Sequence, residues 1–119
     1  MLTYSLRTNY DEFSHDEITI SLINDILTGF NPKEWDFLVL SPEIPIQKST
    51  FIQVGAPQPN TDYKFTLELG FYDEKTGLQL FRFYTPDQSF VLQCLINYWQ
   101  KQQLPDLSIW QDVSDEMRS

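Results

Sequence analysis

Apolar and polar residues alternate most regularly in the second half of the chain, where the pattern predicts a β-hairpin followed by a helix. Every second residue from position 65 to 71 is apolar, the period of a strand that buries one face: Phe65, Leu67, Leu69 and Phe71. Asp73–Gly77 then has the composition of a hairpin loop, with glycine where a left-handed backbone is needed. Leu78–Tyr84 supplies the second strand of this predicted hairpin.

The length of the hairpin loop decides which side chains share a face of the sheet. A five-residue loop places Glu68 opposite Arg82 and Tyr72 opposite Leu78. A four-residue loop places Glu68 opposite Phe83 instead, and a slip of one residue exchanges the two faces. The pattern favours the Glu68–Arg82 pair, because that pairing brings the phenylalanines of both strands onto one face.

Two helices are predicted from their start signals and their apolar stripes. Ser14 and Glu17 fit a capping box at the start of the first helix, and Gly29 is placed to end it. Thr85 is expected to cap the second helix, with Pro86 in its first turn. The stripe of the first helix is Ile18, Leu22, Ile23, Ile26 and Leu27. The stripe of the second is Phe90, Val91, Cys94, Leu95, Tyr98 and Trp99.

Three further segments are predicted strands. Asp36–Leu40 and Thr50–Val54 are short apolar runs bounded by proline or glycine, and Thr3–Thr8 alternates as an edge strand within residues 1–13. The order is therefore helix, four strands, helix, and strands joined by short turns must pair antiparallel.

These elements predict an α+β fold for residues 1–119, taken as a single domain. We expect a four-stranded antiparallel sheet, or a five-stranded one if the N-terminal strand is included, in a two-layer sandwich with both helices on one face. Residues 111–119 are expected to form a frayed acidic tail.

Composition favours a globular protein and limits its partners. The chain of 119 residues is 41% hydrophobic and 15% aromatic, enough for one core without disulfides. Its net charge of −9, from 17 acidic and 8 basic residues, disfavours binding to nucleic-acid phosphates and to anionic membranes. The charge has two interpretations: it serves solubility alone, or it attracts a basic partner.

The chain carries no sequence motif of catalysis, metal binding or cofactor binding. Its one histidine, His15, lacks an orienting partner in the sequence, and its one cysteine, Cys94, falls within an apolar helical stripe. The N-terminus lacks the apolar core of a signal peptide, and no apolar run approaches the ~18 residues of a membrane span. We therefore predict a cytoplasmic protein that is not an enzyme and uses no cofactor.

The more open face of the predicted sheet is the candidate functional surface. The favoured register brings Glu68, Arg82, Tyr72 and Tyr84 to this face. One interpretation is an ordinary solvated face with a cross-strand ion pair worth ~0.2–1 kcal/mol. The other is a docking platform on which tyrosine and arginine anchor a protein partner.

Short motifs in the strands resemble those of a known group of proteins. Trp35-Asp36-Phe37-Leu38-Val39-Leu40 is followed by Phe51-Ile52-Gln53-Val54, by Phe65-Thr66-Leu67-Glu68 and by a helix ending in Tyr98. Over residues 35–99 this arrangement resembles the small bacterial immunity proteins of polymorphic and contact-dependent toxin systems. Such proteins are cytoplasmic antidotes that bind and block a cognate toxin. Gln53 and Glu68 match polar positions of the pattern, which adds Gln53 to the candidate partner-binding residues.

The resemblance implies a non-catalytic immunity protein, a monomer or weak homodimer, whose partner is a basic toxin domain. The alternatives are a small acidic secretion chaperone, which would be dimeric, and a protein-interaction domain of another kind. A small enzyme or ligand-binding domain has no supporting motif.

Overall fold

The structure is a computed structural model that describes residues 2–31, 36–55 and 64–117. Trp35, which belongs to the resemblance, lies outside these ranges. Residues 32–34 and 56–63 also lie outside these ranges. Within the described ranges, no helix combines the length and apolar character that crossing a bilayer requires.

One antiparallel sheet of seven strands forms the body of the described chain. The strands are β1 (Tyr4–Thr8), β2 (Glu12–Phe13), β3 (Phe37–Pro42), β4 (Ser49–Gly55), β5 (Phe65–Asp73), β6 (Gly77–Thr85) and β7 (Gln111–Asp112). Their order across the sheet is β2-β1-β3-β4-β5-β6-β7. Strands β3 to β6 are neighbours in both sequence and space, as expected when connections are too short for a crossover.

The predicted number of strands, four or five, is therefore wrong. β2 and β7 have two residues each, so neither is long enough to show an alternating pattern. The N-terminal strand β1 is not an edge strand, because it pairs with β2 on one side and with β3 on the other. The predicted frayed tail is instead folded as far as Met117, and its Val113 and Ser114 are buried.

Both α-helices begin later than their sequence signals predict. The Ser14–Glu17 capping box is present, but it closes a 3₁₀ turn, and α1 (Ile20–Thr28) starts after Thr19, whose hydroxyl accepts from the Leu22 N–H. Helix α2 (Gln88–Gln100) is capped by Asp87, not Thr85. The Asp87 carboxylate accepts from two backbone N–H groups, those of Ser89 and Phe90, which explains why it takes the cap position.

The core lies between the helices and one face of the sheet. Leu6, Leu40, Ile52 and Leu69 form one fully buried row across four strands. The buried side chains of the helices, Ile23, Leu27, Val91, Leu95 and Tyr98, belong to the same hydrophobic cluster. Burying each aliphatic side chain contributes about 1.5–3 kcal/mol, which outweighs weak local helix propensity.

A buried hydrogen-bond chain joins α2 to the sheet inside this core. The hydroxyls of Tyr98 and Ser49 lie 2.9 Å apart, and the Ser49 hydroxyl also donates to the Gly70 carbonyl at 3.0 Å. The Tyr4 hydroxyl donates to the Tyr98 carbonyl at 2.9 Å. Each of the three hydroxyl groups in this hydrogen-bonded series therefore has a partner, as burial demands.

Candidate functional site

The face of the sheet opposite the core carries a row of mostly polar side chains across six strands. Neighbouring members of the row lie directly opposite one another: Arg7, Val39, Gln53, Glu68, Arg82 and Gln111. Successive residues of a strand point to opposite faces, so this row lies on the reverse side from the buried leucines. We call this surface the open face.

The register of the β5–β6 hairpin is the one that the sequence favours. Glu68 pairs with Arg82 and Tyr72 pairs with Leu78, which confirms the five-residue alternative. Asp73 and Gly77 are themselves paired, so the unpaired loop is reduced to residues 74–76. Gly77 has a φ of 77°, the left-handed conformation for which glycine was expected.

Glu68 and Arg82 form the centre of a hydrogen-bonded network on the open face. The Arg82 Nε and Nη2 atoms donate to Glu68 Oε2 at 3.0 and 2.7 Å. Gln53 Nε2 donates to the other Glu68 oxygen at 3.2 Å. Arg82 also reaches Glu116, with Nη2 2.9 Å from its Oε2. The Arg82 and Glu68 side chains are only 20% and 15% exposed.

The electrostatics of this network keep Arg82 charged. Burial opposes the charged form of the guanidinium, but hydrogen bonds to Glu68 and Glu116 outweigh it and raise the Arg82 pKa. A hydrogen bond with the Tyr84 side chain acts in the same direction. The network is therefore largely satisfied from within the chain.

The segment after α2 supplies a member of the network that sequence reasoning missed. The Trp110 ring stacks on Phe83 on the core side, with 5.7 Å between ring centroids, and β7 then pairs with the edge of β6. Further along the edge of β6, the Val113 N–H donates to the Leu80 carbonyl, and the Ser114 hydroxyl accepts from the Leu80 N–H. Glu116 follows and reaches Arg82. The only sequence signal for this role is an acidic residue in the tail.

The five predicted partner-binding residues divide into two groups. Gln53, Glu68, Arg82 and Tyr84 are brought together by the network. Tyr72 lies apart, because its partner Leu78 is six positions from Tyr84 along β6, about 20 Å at the usual rise per residue. A small ligand cannot contact both tyrosines, whereas a protein surface can.

Other candidate chemistry lies away from this face. Cys94 is buried, and burial raises its pKa to about 11, so very little reactive thiolate exists near neutral pH. The His15 Nδ1 atom accepts from the Tyr4 N–H at 3.2 Å. Within the described ranges, no three His, Cys, Asp or Glu residues are arranged to hold a metal ion.

A shallow depression between the β1–β2 turn and the end of α1 has a volume of about 240 Å³. This is below the ~300–1,000 Å³ of typical ligand pockets. Its Asp36 carboxylate already accepts from the Asn9 side chain and the Asn31 N–H at 3.0 and 2.9 Å. The Asp36 carboxylate in this depression is therefore already satisfied by groups of the chain itself.

Comparison of the chain with known protein families, with curated proteins and with solved structures finds no match. The open face is therefore the basis on which a function can be assigned.

Proposed function

We propose that this protein is a non-catalytic immunity protein that binds and neutralises a cognate bacterial toxin in the cytoplasm. The observation that carries the proposal is the open face itself. It combines an internally satisfied charged network with exposed tyrosines on either side. Tyrosine is among the residues most enriched at interface hot spots, and a face held in place before binding loses less entropy on association.

The size of the open face suits a protein partner. Seven strands spaced about 4.8 Å apart span about 29 Å, and the longest strands, of nine residues, are of similar length. The outer strands are shorter, and the face is of the same order as the roughly 800 Å² that a standard interface buries on each partner.

The edges of the sheet favour recognition through side chains over recognition by strand addition. The outermost strands, β2 and β7, have two residues each. The Tyr4 N–H donates to His15, and both backbone groups of Leu80 bond to the tail. Short or covered edges of this kind protect a sheet from pairing with another chain. The partner is therefore expected on the face.

The charge of the chain supports a basic partner. A net charge of −9 attracts a positively charged domain at long range and raises its rate of association. The same charge opposes association of two copies, which favours a monomer.

The test is co-expression with the toxin domain encoded by the neighbouring reading frame. We expect the wild-type protein to restore growth and to co-purify with that domain, with weaker binding at high salt. Glu68→Lys or Arg82→Glu, which break the network, should reduce protection. Asp25→Lys makes the same charge change as Glu68→Lys on the exposed side of α1, behind the sheet, and serves as the matched control. A neighbouring toxin that the wild type neither binds nor neutralises would show that the proposal is wrong.

The secretion-chaperone alternative needs a client-binding surface on the helices. In the described chain the apolar stripes of α1 and α2 are packed in the core. The chaperone alternative predicts a dimer in light scattering, and the immunity proposal predicts a monomer.

A further inference from the structure

Several large apolar side chains are exposed on the surface, and two of these side chains lie next to each other on the open face. Tyr72 and Leu78 lie directly opposite each other on β5 and β6 and are 52% and 43% exposed. Single exposed apolar residues are ordinary on protein surfaces, whereas a contiguous group points to an interaction site.

The pair continues into a wider apolar surface, which we call the hairpin-tip patch: Phe51, Tyr72, Leu78 and Leu80. Phe51 and Leu80 lie on either side of Gly70 in the adjoining row of the sheet. The Phe51 ring covers Gly70 and fills the space that a Cβ atom there would occupy. Leu80 is buried beneath the tail. The patch therefore spans three strands and has a packed base with an exposed outer end.

A strained turn holds this end of the hairpin in place. Gln47 and Lys48 both have positive φ angles, of 49° and 73°, which residues other than glycine rarely adopt. The Lys48 carbonyl accepts from the Tyr72 N–H at 3.0 Å, and the Lys48 ammonium pairs with the Asp73 carboxylate. The hydrogen bond from Lys48 holds the pKa of Asp73 below its usual value.

Strain of this kind costs of order 1–3 kcal/mol for each residue and is concentrated at functional sites. The usual residues for such a two-residue turn are Asn-Gly, which relieve the strain but lack the lysine that pairs with Asp73. The strained turn thus fixes the backbone at Tyr72, and a fixed anchor side chain loses less entropy on binding.

Charge decides between the occupants of the patch. The charges at the hairpin tip itself balance, because Asp73 is paired with Lys48 and the exposed Glu74 is followed by Lys75, so the net charge of the whole chain decides. A second copy of the chain would add a further nine net negative charges, whereas a basic partner would reduce the repulsion. The complementary occupant is therefore an apolar side chain on the surface of a basic protein.

We infer that Tyr72 and Leu78 anchor the basic toxin domain, whose apolar side chain packs on this pair while the net negative charge of the chain attracts the cations around it. This inference rests on the proposed function. In this inference the Glu68–Arg82 network holds the strands of the open face in position, since its groups already bond to one another. The main contact with the partner is made by the hairpin tip.

The experiment is calorimetric titration with a catalytically inactive form of the toxin domain encoded by the neighbouring reading frame. The double variant Tyr72→Ala/Leu78→Ser should bind at least about 30-fold more weakly than the wild type, as expected for hot-spot residues. The matched control is Ile20→Ser, an equally exposed aliphatic residue, 44% exposed, on α1 behind the sheet. It should change Kd by less than about threefold. Circular dichroism checks that each variant is folded. We expect all of them to fold, because Tyr72, Leu78 and Ile20 are exposed.

Each outcome has a distinct meaning. If the wild type binds and the double variant has the same Kd, the inference is wrong and the proposed function stands. If the wild type neither binds nor protects, the proposed function fails and the inference fails with it. If sedimentation shows a dimer of the wild type that the double variant abolishes, the patch binds a second copy and the toxin assignment is overturned.

Discussion

At the scale of single residues, Gly70 has the least room for a side chain among the four glycines. It lies opposite Phe51, whose ring occupies the position that a Cβ atom would take. We expect Gly70→Ala to lower the free energy of unfolding by about 1–3 kcal/mol, because the Phe51 ring must move off its site. Urea denaturation measures this change.

The control for this prediction is Gly55→Ala in the neighbouring strand. An added Cβ at Gly55 meets nothing within 4 Å, so its loss of stability should not exceed about 0.5 kcal/mol. Equal losses at both positions would mean that the cost comes from the strand backbone and not from Phe51.

The buried hydroxyl of Tyr98 makes stability depend on alkaline pH. Burial raises its pKa to about 12 from 10.0 in the unfolded chain, so the folded state holds this proton more tightly. The resulting stability is complete below pH 10 and is lost as the pH rises towards 12. We expect the free energy of unfolding to fall by up to about 1.4 kcal/mol per pH unit in this window, and the slope to be smaller in Tyr98→Phe.

Comparison of variants isolates the Tyr98 contribution. Cys94 contributes between about pH 9 and 11 in every variant, because its pKa is raised from 9.0 to about 11. Tyr10→Phe removes a hydroxyl at the surface and should keep the wild-type slope. A Tyr98→Phe slope identical to that of the wild type would contradict the prediction.

At the scale of elements, local chemistry predicted the β5–β6 hairpin well. The alternation of both strands and the glycine at Gly77 both favour the observed register, and that register placed Glu68 beside Arg82. Gln53 joined them because β4 pairs with β5 in the matching register. This much of the candidate site follows from neighbouring strands, whose pairing the sequence pattern can show.

The remaining parts of the fold depend on contacts between distant residues. β7 has two residues, and its place is decided by pairing with β6 and by the stacking of Trp110 on Phe83. Glu116 reaches Arg82 across 34 positions of sequence. No local pattern encodes such contacts, so the tail was predicted to be frayed and Glu116 was missed.

Helix starts show how competing local signals are resolved. Ser14 and Glu17 satisfy each other in a 3₁₀ turn, and the chain extends through Ile18 into the core before α1 begins. Thr85 was a reasonable cap, but it pairs within the sheet opposite Phe65, which leaves the cap to Asp87. In the first helix the local signal closed a shorter turn, and in the second the pairing of Thr85 with a distant strand overrode it.

At the scale of the whole molecule, two surfaces of different character share one sheet. The helix-covered face holds the hydrophobic cluster, and the open face holds a network that ties strands β4, β5 and β6 to the tail. The network also makes the tail part of the face that we propose for binding. Loss of the Glu116 contact would therefore alter the face without touching the core.

The charge of the whole molecule leads to a prediction about salt. The described chain extends 38 × 36 × 24 Å, and at 0.01 M salt the screening length is about 30 Å, so the acidic side chains repel one another across most of the molecule. We expect the free energy of unfolding to rise on the order of 1 kcal/mol between about 0.01 and 0.5 M sodium chloride, because screening relieves a net charge of −9.

Chemical denaturation with urea at each salt concentration measures this effect, since urea itself is uncharged. Glu74→Lys changes the net charge from −9 to −7 at an exposed loop position and should show a weaker dependence on salt. The opposite trend, a loss of stability with salt, would mean that the ion pairs of Lys48 and Arg82 outweigh the general repulsion. Most of the net charge would then have little effect on folding, and its main role would be to attract the basic partner.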